Sequence, residues 1–596
     1  MKKMLLTLSV VLFTGALCAA SSFLGYLYPS GGQRGTTVRV IAGGQGFGNR
    51  VTLLTDNPGI KLKSAVRIPN MGYFHPTQRK YLTRFMKNLY AGKMKKLPIP
   101  ENKEGEIWRK HPWLDDLEKQ PLLERSIVAQ SLFVRVNSLQ QAPSIATRVL
   151  LDIEIAPDAP VGMSRVRLVS GMNISNEKLF FVDDAEQIQE PFYYPPFAKK
   201  PEIPAVTTCP VTLNGQIMPG ETDVFPVTLE AGKKYSFSMC ASELSPYLGD
   251  AVPGHFQGIL TLRDARGRVV AAADDEYHHP DPVLRFTAEK TGVYTLHVSD
   301  SIKRGRADFV YRIAVTEGHV PYQPYRNVSG YKAMPQVYSV ADMPRIIKNG
   351  VDIKGVLRDP KGVSFKIKAS KGERAIMELF AARLDSPLDG VLILRDAKGT
   401  ILAENDDFPQ SLDLDLCRRQ TDPLLDITFP ADGVYTVQLY SRTAFTGNDH
   451  FFTLQIRPPQ PSVIAVAGSS VLALKRNGEG TMRFYLQRKD GFNGAVTITS
   501  PQLTAIGKAV IPAGKQSGDI RFRLTNPPKK NRVIKLEMNA EFTVDGQKYV
   551  VPVIPAEETM QAFAYTHLLA ADAFYCYTIR PAAYWQKKKK APAKRK

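Results

Sequence analysis

The sequence predicts an all-β multidomain protein in which immunoglobulin-like and jelly-roll or β-sandwich domains follow in tandem, with a helical insertion in the first unit. Three observations carry this expectation: a length of 596 residues, an internal duplication, and period-two alternation of apolar and polar residues in both copies. At about 150 residues per domain the chain holds roughly four cores. GILTLRDARGRVVAAADD (258–275) and GVLILRDAKGTILAENDD (390–407) share ten of eighteen residues at a constant offset of 132. The match resumes from Asp281 and Asp422 at offset 141, because the second copy carries nine extra residues after its Asp-Asp pair. Upstream, FPVTLEAGK from Phe225 pairs with FKIKASKGE from Phe365. In GVYTLHV, Tyr294, Leu296 and Val298 alternate with Thr295 and His297, and GVYTVQL repeats the pattern with Tyr435, Val437 and Leu439. Such strands turn one face to a core and one to water. Asp264 to Gly267 and Asp396 to Gly399 read as hairpin turns.

In chain order, residues 1–20, MKKMLLTLSVVLFTGALCAA, run from two lysines through an apolar stretch to small residues and read as a secretory signal peptide. Residues 21–190 open with YPSGGQRGTTVRV and close with three strand candidates in LLDIEIAPDAPVGMSRVRLVSGMNISNEKLFFV. Between these, about 76–130 reads as a helical insertion. The two repeat copies occupy 206–318 and 350–458, with 319–349, which lacks periodicity, as a linker. Residues 459–556 form a further strand-rich unit. In MQAFAYTHLL the apolar residues have helical spacing, so 557–596 reads as a docking helix followed by a basic tail.

The formal net charge is +21, and seven positive charges fall in the last ten residues, KKKKAPAKRK. This tail has no apolar face to fold on and reads as a disordered end with salt-sensitive affinity for anionic surfaces. No basic stripe interleaved with aromatics marks a nucleic-acid groove, and no later segment is apolar for the length of a membrane span. Of the cysteines beyond the signal, Cys209 and Cys240 fall in one unit on neighbouring strand candidates. A disulfide between them is set against two isolated thiols. Cys417 and Cys576 have no evident partner.

The duplicated motifs, an apolar strand, an Asp-x-x-Gly turn, an Asp-Asp pair and a Gly-x-Tyr strand, resemble the bacterial pre-peptidase C-terminal (PPC) domain, a secreted β-sandwich. YPSGGQRGTTVRV, IAPDAPVGMSRVRL, RLDSPLDG, DGFNG (490–494) and PAEETMQAFAYTHLL (555–569) resemble exported bacterial proteins that combine PPC domains with immunoglobulin-like units, the opening unit being similar to an IPT/TIG-type fold. The resemblance implies an architecture and no particular activity. It also departs from the fuller pattern, since only 319–349 stands where another immunoglobulin-like unit would follow the first PPC copy.

PPC domains often accompany secreted peptidases, yet the chain has no His-Glu-x-x-His helix, no Gly-x-Ser-x-Gly elbow and no papain-type cysteine setting. The expectation is therefore that it is not an enzyme. Convergence of Asp385, Asp389, Asp406, Asp407, Asp413 and Asp415 at one end of the second sandwich would give a hard-oxygen site suited to calcium. The alternative is that the shared aspartates close turns by bonding their own backbone, which accounts better for the Asp-Asp pair common to both copies. No other cofactor is required. His255, His278 and His279 lie in polar loops and read as surface histidines rather than zinc ligands. The sequence thus predicts a secreted, non-catalytic binding or structural spacer protein of the cell envelope, in the periplasm or outside the cell and held there in part by its tail. Its expected partners are envelope polysaccharide, anionic lipid or another secreted protein. The competing readings are a hydrolase, or a peptidase-associated protein, whose site lacks a linear motif, and a polysaccharide-binding protein with exposed aromatics such as Tyr193, Tyr194 and Phe197.

Overall fold

The computed structural model describes residues 22–68, 76–93, 113, 116–133, 142–191, 195, 197–249, 251, 254–276, 279–320, 334–342, 344–384, 386–408, 422–475, 477–528, 532–561 and 565–578. The described residues form an all-β chain of four successive units. In the first, one sheet takes the order Phe23–Tyr28, Thr37–Gln45, Thr147–Ile155, Ile60–Ile68, and the other Gly31–Gln33, Lys178–Asp183, Gly162–Ser170, Val51–Thr55. Alternation drives this layer structure: in Lys178–Asp183 every second residue is buried, and Leu24, Val40, Leu151, Ile153, Val166, Leu168 and Phe180 meet between the sheets with no exposure. Helices α1 (Pro76–Tyr90) and α2 (Leu122–Phe133) are inserted between the last two strands of the first sheet. On α1 the spacing of Leu82, Phe85 and Met86 makes one apolar stripe, and it packs with Ile127 and Val128 of α2 on Tyr26, Tyr28 and Leu150. The same cluster takes in Leu244 and Val310 of the next unit. The insertion is therefore mortar between two sandwiches.

The duplicated units have the same topology strand for strand. In the first copy a sheet ordered Glu186–Gln189, Val211–Gln216, Val310–Glu317, Lys234–Cys240, Val283–Thr287 faces one ordered Asp223–Leu229, Gly292–Asp300, Gly258–Arg263, Val269–Ala273. In the second, Gln336–Ser339, Val351–Val356, Phe451–Arg457, Arg374–Phe380, Leu424–Thr428 faces Val363–Ala369, Gly433–Ser441, Gly390–Arg395, Ile401–Asn405. Matching positions fill both cores: Phe225 and Phe365, Leu260 and Leu392, Leu296 and Val437 are all fully buried.

Each sandwich begins with a strand that pairs in parallel with the next, Glu186 opposite Val211 and Gln336 opposite Val351. This corrects the linker reading of 319–349 over its described part. Gln336–Ser339 joins the second sandwich and Ile347 bridges to Ile367. A four-residue edge strand is too short, and too exposed, to show a period.

The last unit is an eight-stranded sheet in which Glu479–Lys489, Ser462–Ala467, Gln547–Ile554 and Asn539–Val544 are central. Two further pieces extend it beyond residue 556. The docking helix is replaced by a hairpin, Ala556–Gln561 against Tyr565–Ala570, registered from Ala556 opposite Ala570 to Gln561 opposite Tyr565. Phe574–Tyr577 then inserts between Val471–Leu472 and Val533–Leu536 and buries Cys576. Over so short a segment, helical spacing and strand pairing compete on equal terms, and pairing satisfies the backbone groups of both arms.

The predicted Cys209–Cys240 disulfide is absent, and both residues are free thiols. Val211 lies opposite Val315, whereas Cys240 lies opposite Arg312 on the other side of the same strand. The two cysteines are thus separated by a whole strand and offset along it, beyond the ~7 Å Cα reach of a disulfide. Mass mapping without reduction is expected to find no peptide joining Cys209 to Cys240; a joined peptide would contradict this register. Cys417 lies outside the described residues.

Candidate functional site

Of the aspartates shared by the two copies, Asp264, Asp396, Asp281 and Asp422 bond backbone N–H groups. Asp264 accepts hydrogen bonds from the N–H groups of Arg266 and Arg268, both at 2.9 Å, and Asp396 from those of Lys398 and Thr400, both at 2.8 Å. Asp281 and Asp422, both buried, pin the bend after the Lys234–Cys240 and Arg374–Phe380 strands. Asp281 accepts from the Ala241 and Ser242 N–H groups, and Asp422 from those of Ala381, Ala382 and Arg383. Of the six calcium candidates, Asp385, Asp413 and Asp415 lie outside the described residues. Asp406 pairs with Arg442, the Asp407 carbonyl accepts from Asn405, and the Asp389 carbonyl accepts from the Arg442 N–H. The described residues hold no cluster of ligand atoms there.

The other sequence-level candidates also find places. His255 is not a surface histidine: it is 4% exposed, packed between Tyr247 and Phe309 at 5.1 and 4.6 Å, with Nε2 3.7 Å from Asp308. The Tyr247 and Phe309 rings close over it, which its polar neighbours in sequence do not reveal. His279 is partly exposed and its Nδ1 accepts from the Asp281 N–H; His278 lies outside the described residues. So do Tyr193 and Tyr194, while Phe197 packs edge-on to Phe133 at 5.0 Å and Tyr90 at 6.4 Å.

Where the first unit meets the first repeat copy, the chain gathers three acids that the sequence reading did not single out. Glu190 follows the parallel strand Glu186–Gln189 and accepts from the Gln216 N–H at 2.9 Å. Glu221 sits in the turn after Val211–Gln216 and accepts from the Met218 N–H at 3.2 Å. Asp223 opens the strand Asp223–Leu229 and accepts from the Tyr311 hydroxyl at 2.7 Å. Gly215 stands beside that ring, where any Cβ would collide with it. Tyr28, from the first unit, donates to Glu190 at 3.4 Å. One ligand oxygen of each acid lies within 4.8 Å of the others. Lys200 reaches in from the connecting segment, with its ammonium 2.6 Å from Glu221, 3.4 Å from Glu190 and 3.8 Å from Asp223.

The electrostatics follow from burial. Glu190 and Asp223 are 5% and 2% exposed. Desolvation pushes the Glu190 carboxyl well above its ordinary range, with Asp223 adding to the rise, and lifts Asp223 to about 6. For Lys200 burial works against the charge, but the three carboxylates outweigh it and hold the ammonium above its usual value. Two like charges about 4 Å apart repel by roughly 4 kcal/mol at an effective dielectric near 20. A single ammonium faces three carboxyl groups, and among the described residues Asp223 Oδ1 is buried with no hydrogen-bond donor, its ion-pair contact being Lys200 at 3.8 Å.

The duplication supplies an internal control. Register places Val340 where Glu190 stands, Val363 where Asp223 stands, and Phe452 where Tyr311 stands, beside Gly355 in place of Gly215. There the same spot is packed with apolar side chains. The sandwich therefore does not need the acids to fold. Comparing the copies residue by residue would have exposed Asp223 against Val363, but Glu190 and Lys200 lie upstream of the visible repeat.

With the fold and this junction described, the class is an all-β protein of tandem sandwich units. No family model matches the chain, and no curated protein matches it. Among solved structures it is similar to the β-glucuronidase 3 of Bacteroides uniformis (12% identity, TM-score 0.17, 33% of this chain and 27% of that chain). It is likewise similar to the D0-D1 domain of intimin (12%, 0.13, 36% and 100%) and to fibronectin(III)-like modules of CbhA from Clostridium thermocellum (13%, 0.11, 36% and 93%). Among the described residues no helix is long and apolar enough to cross a membrane.

Proposed function

We propose that this is an exported, non-catalytic protein of the cell envelope that works as a braced multidomain binding or spacing element. The observation that carries the reading is where residues of three of the family-like motifs fall: at joints between units. Gly31 of YPSGGQRG lets the first unit approach Arg312 of the second, since any Cβ there would meet that guanidinium. Asp490 of DGFNG, at φ +55°, clamps Arg457, which also holds Glu378 at 3.2 Å. Glu557 and Gln561 of PAEETMQ bring the last unit back to the first two. The Gln561 amide donates to the Leu248 carbonyl at 2.9 Å and its oxygen accepts from the Leu248 N–H at 2.8 Å. Residues placed at joints serve relative placement, as a platform for binding requires.

The test is retention of the mature chain on envelope polysaccharide, on anionic vesicles and on other exported proteins, run beside hydrolase screens. Saturable retention without turnover is the expected result. Turnover abolished by a single substitution would replace this reading with an enzyme. Deleting 587–596, which lies outside the described residues, is expected to weaken retention on anionic material at low salt and leave the melting temperature unchanged. Each Lys or Arg near such a surface contributes about 1 kcal/mol within a Debye length of roughly 8 Å. Full-length retention that survives high salt would move the attachment to the sandwich units.

A further inference from the structure

We propose that Glu190, Glu221 and Asp223 form a binding site for one hard divalent cation of the calcium class, whose place is held in the ion-free chain by the Lys200 ammonium. The donors are all oxygen, which selects calcium, magnesium or manganese over softer metals. Their mutual spacing, within 4.8 Å, is the span of two calcium–oxygen bonds of about 2.4 Å. Two further observations point to a ligand rather than to a chance gathering of acids. Asp223 Oδ1, on a residue 2% exposed, faces the cluster with no hydrogen-bond donor among the described residues and the Lys200 ammonium no nearer than 3.8 Å, so a desolvation cost of about 1–3 kcal/mol is poorly offset. The second copy, with the same backbone, fills the equivalent space with Val340, Val363 and Phe452, so the acids answer to something other than the sandwich.

Lys200 is a poor permanent occupant. It reaches in on a long flexible stem from the connecting segment, it remains one-third exposed, and it approaches Asp223 only to 3.8 Å. A divalent ion would meet all three carboxylates at bonding distance, and the long lysine stem can swing its charge to water. Because Tyr28 belongs to the first unit and Glu190, Glu221 and Asp223 to the second, occupancy would tighten the joint between them.

The test uses terbium as the probe, since Tyr28 and Tyr311, bonded to two of the ligands, would sensitise its emission. Full-length protein is titrated with terbium and then with calcium as competitor. Saturable emission is expected, displaced by calcium, lost in Asp223→Asn and strongly weakened in Glu221→Gln, whose half-buried position spares the fold. Lys200→Met is expected to tighten terbium by about tenfold or more, because it removes a competing charge from the site. Absence of saturable emission in Lys200→Met would overturn the proposal. Emission that persists in Asp223→Asn but is lost in Asp406→Asn would also overturn it, by assigning the ion to the second sandwich.

Discussion

Arg167→Ala is expected to destabilise the assembled chain by about 3–5 kcal/mol, the usual cost of removing one partner from a buried ion pair. Arg167 is 3% exposed on the strand Gly162–Ser170 of the first unit, yet it is the hub of the contact with the last. Its guanidinium donates to the Ser470 hydroxyl at 2.8 Å, to the Ser175 carbonyl at 3.0 Å and to Glu177 at 2.8 Å. It also lies 3.7 Å from Glu557 and 5.2 Å over the Tyr575 ring. Alanine would strip Glu557 of its guanidinium and leave Glu177 to Arg165 at 3.6 Å, in a site whose burial already raises the Glu557 carboxyl. The last unit should then unfold, or become open to protease, at lower urea than the rest. Arg167→Lys should fall between, since an ammonium keeps the charge and loses the planar fork. A urea profile of Arg167→Ala that overlays the wild type would show that this joint contributes nothing to the assembly.

Asp422→Ala should be comparably damaging, about 3–5 kcal/mol, but confined to the second repeat copy. One carboxylate there accepts from three consecutive backbone N–H groups, at 3.0, 2.8 and 3.1 Å, and from Arg383 Nε at 2.9 Å. Its loss strands those donors and, among the described residues, leaves Arg383 with Glu378 as its remaining carboxylate, at 2.8 Å. The homologous Asp281→Ala should cost less, roughly 2–4 kcal/mol, because a serine hydroxyl at 3.0 Å takes the place of the arginine. Hydrogen exchange across Arg374–Phe380 in one variant and Lys234–Cys240 in the other reads the two effects separately. Equal protection in wild type and Asp422→Ala would remove the aspartate from any structural role.

These cases mark what the sequence by itself determined about this protein. Strand identity was legible wherever neighbours in the chain carry the information. The buried Tyr294, Leu296 and Val298, and their partners Tyr435, Val437 and Leu439, lie two residues apart, and the pleat turns that period directly into an inner and an outer face. The Asp-x-x-Gly turns were legible for the same reason, since Asp264 and Asp396 bond N–H groups two and four residues away. The duplication then implied two sandwiches of one topology.

Tertiary structure alone decided the rest, because there the partners are distant and the outcome depends on which strands pair and in what register. Residues 557–569 carry a pattern compatible with a helix, but the hairpin wins by pairing two arms and seating Gln561 on Leu248, 313 residues away in sequence. Cys240 and the strand that Cys209 precedes flank a common neighbour, and only the register along it shows that the two thiols are out of reach. The acidic junction draws Tyr28, Glu190, Lys200, Glu221, Asp223 and Tyr311 from separate elements of two units. No spacing in the chain encodes their meeting, since a side chain's neighbours across a sheet or a joint are set by the packing of whole units and leave no local period behind.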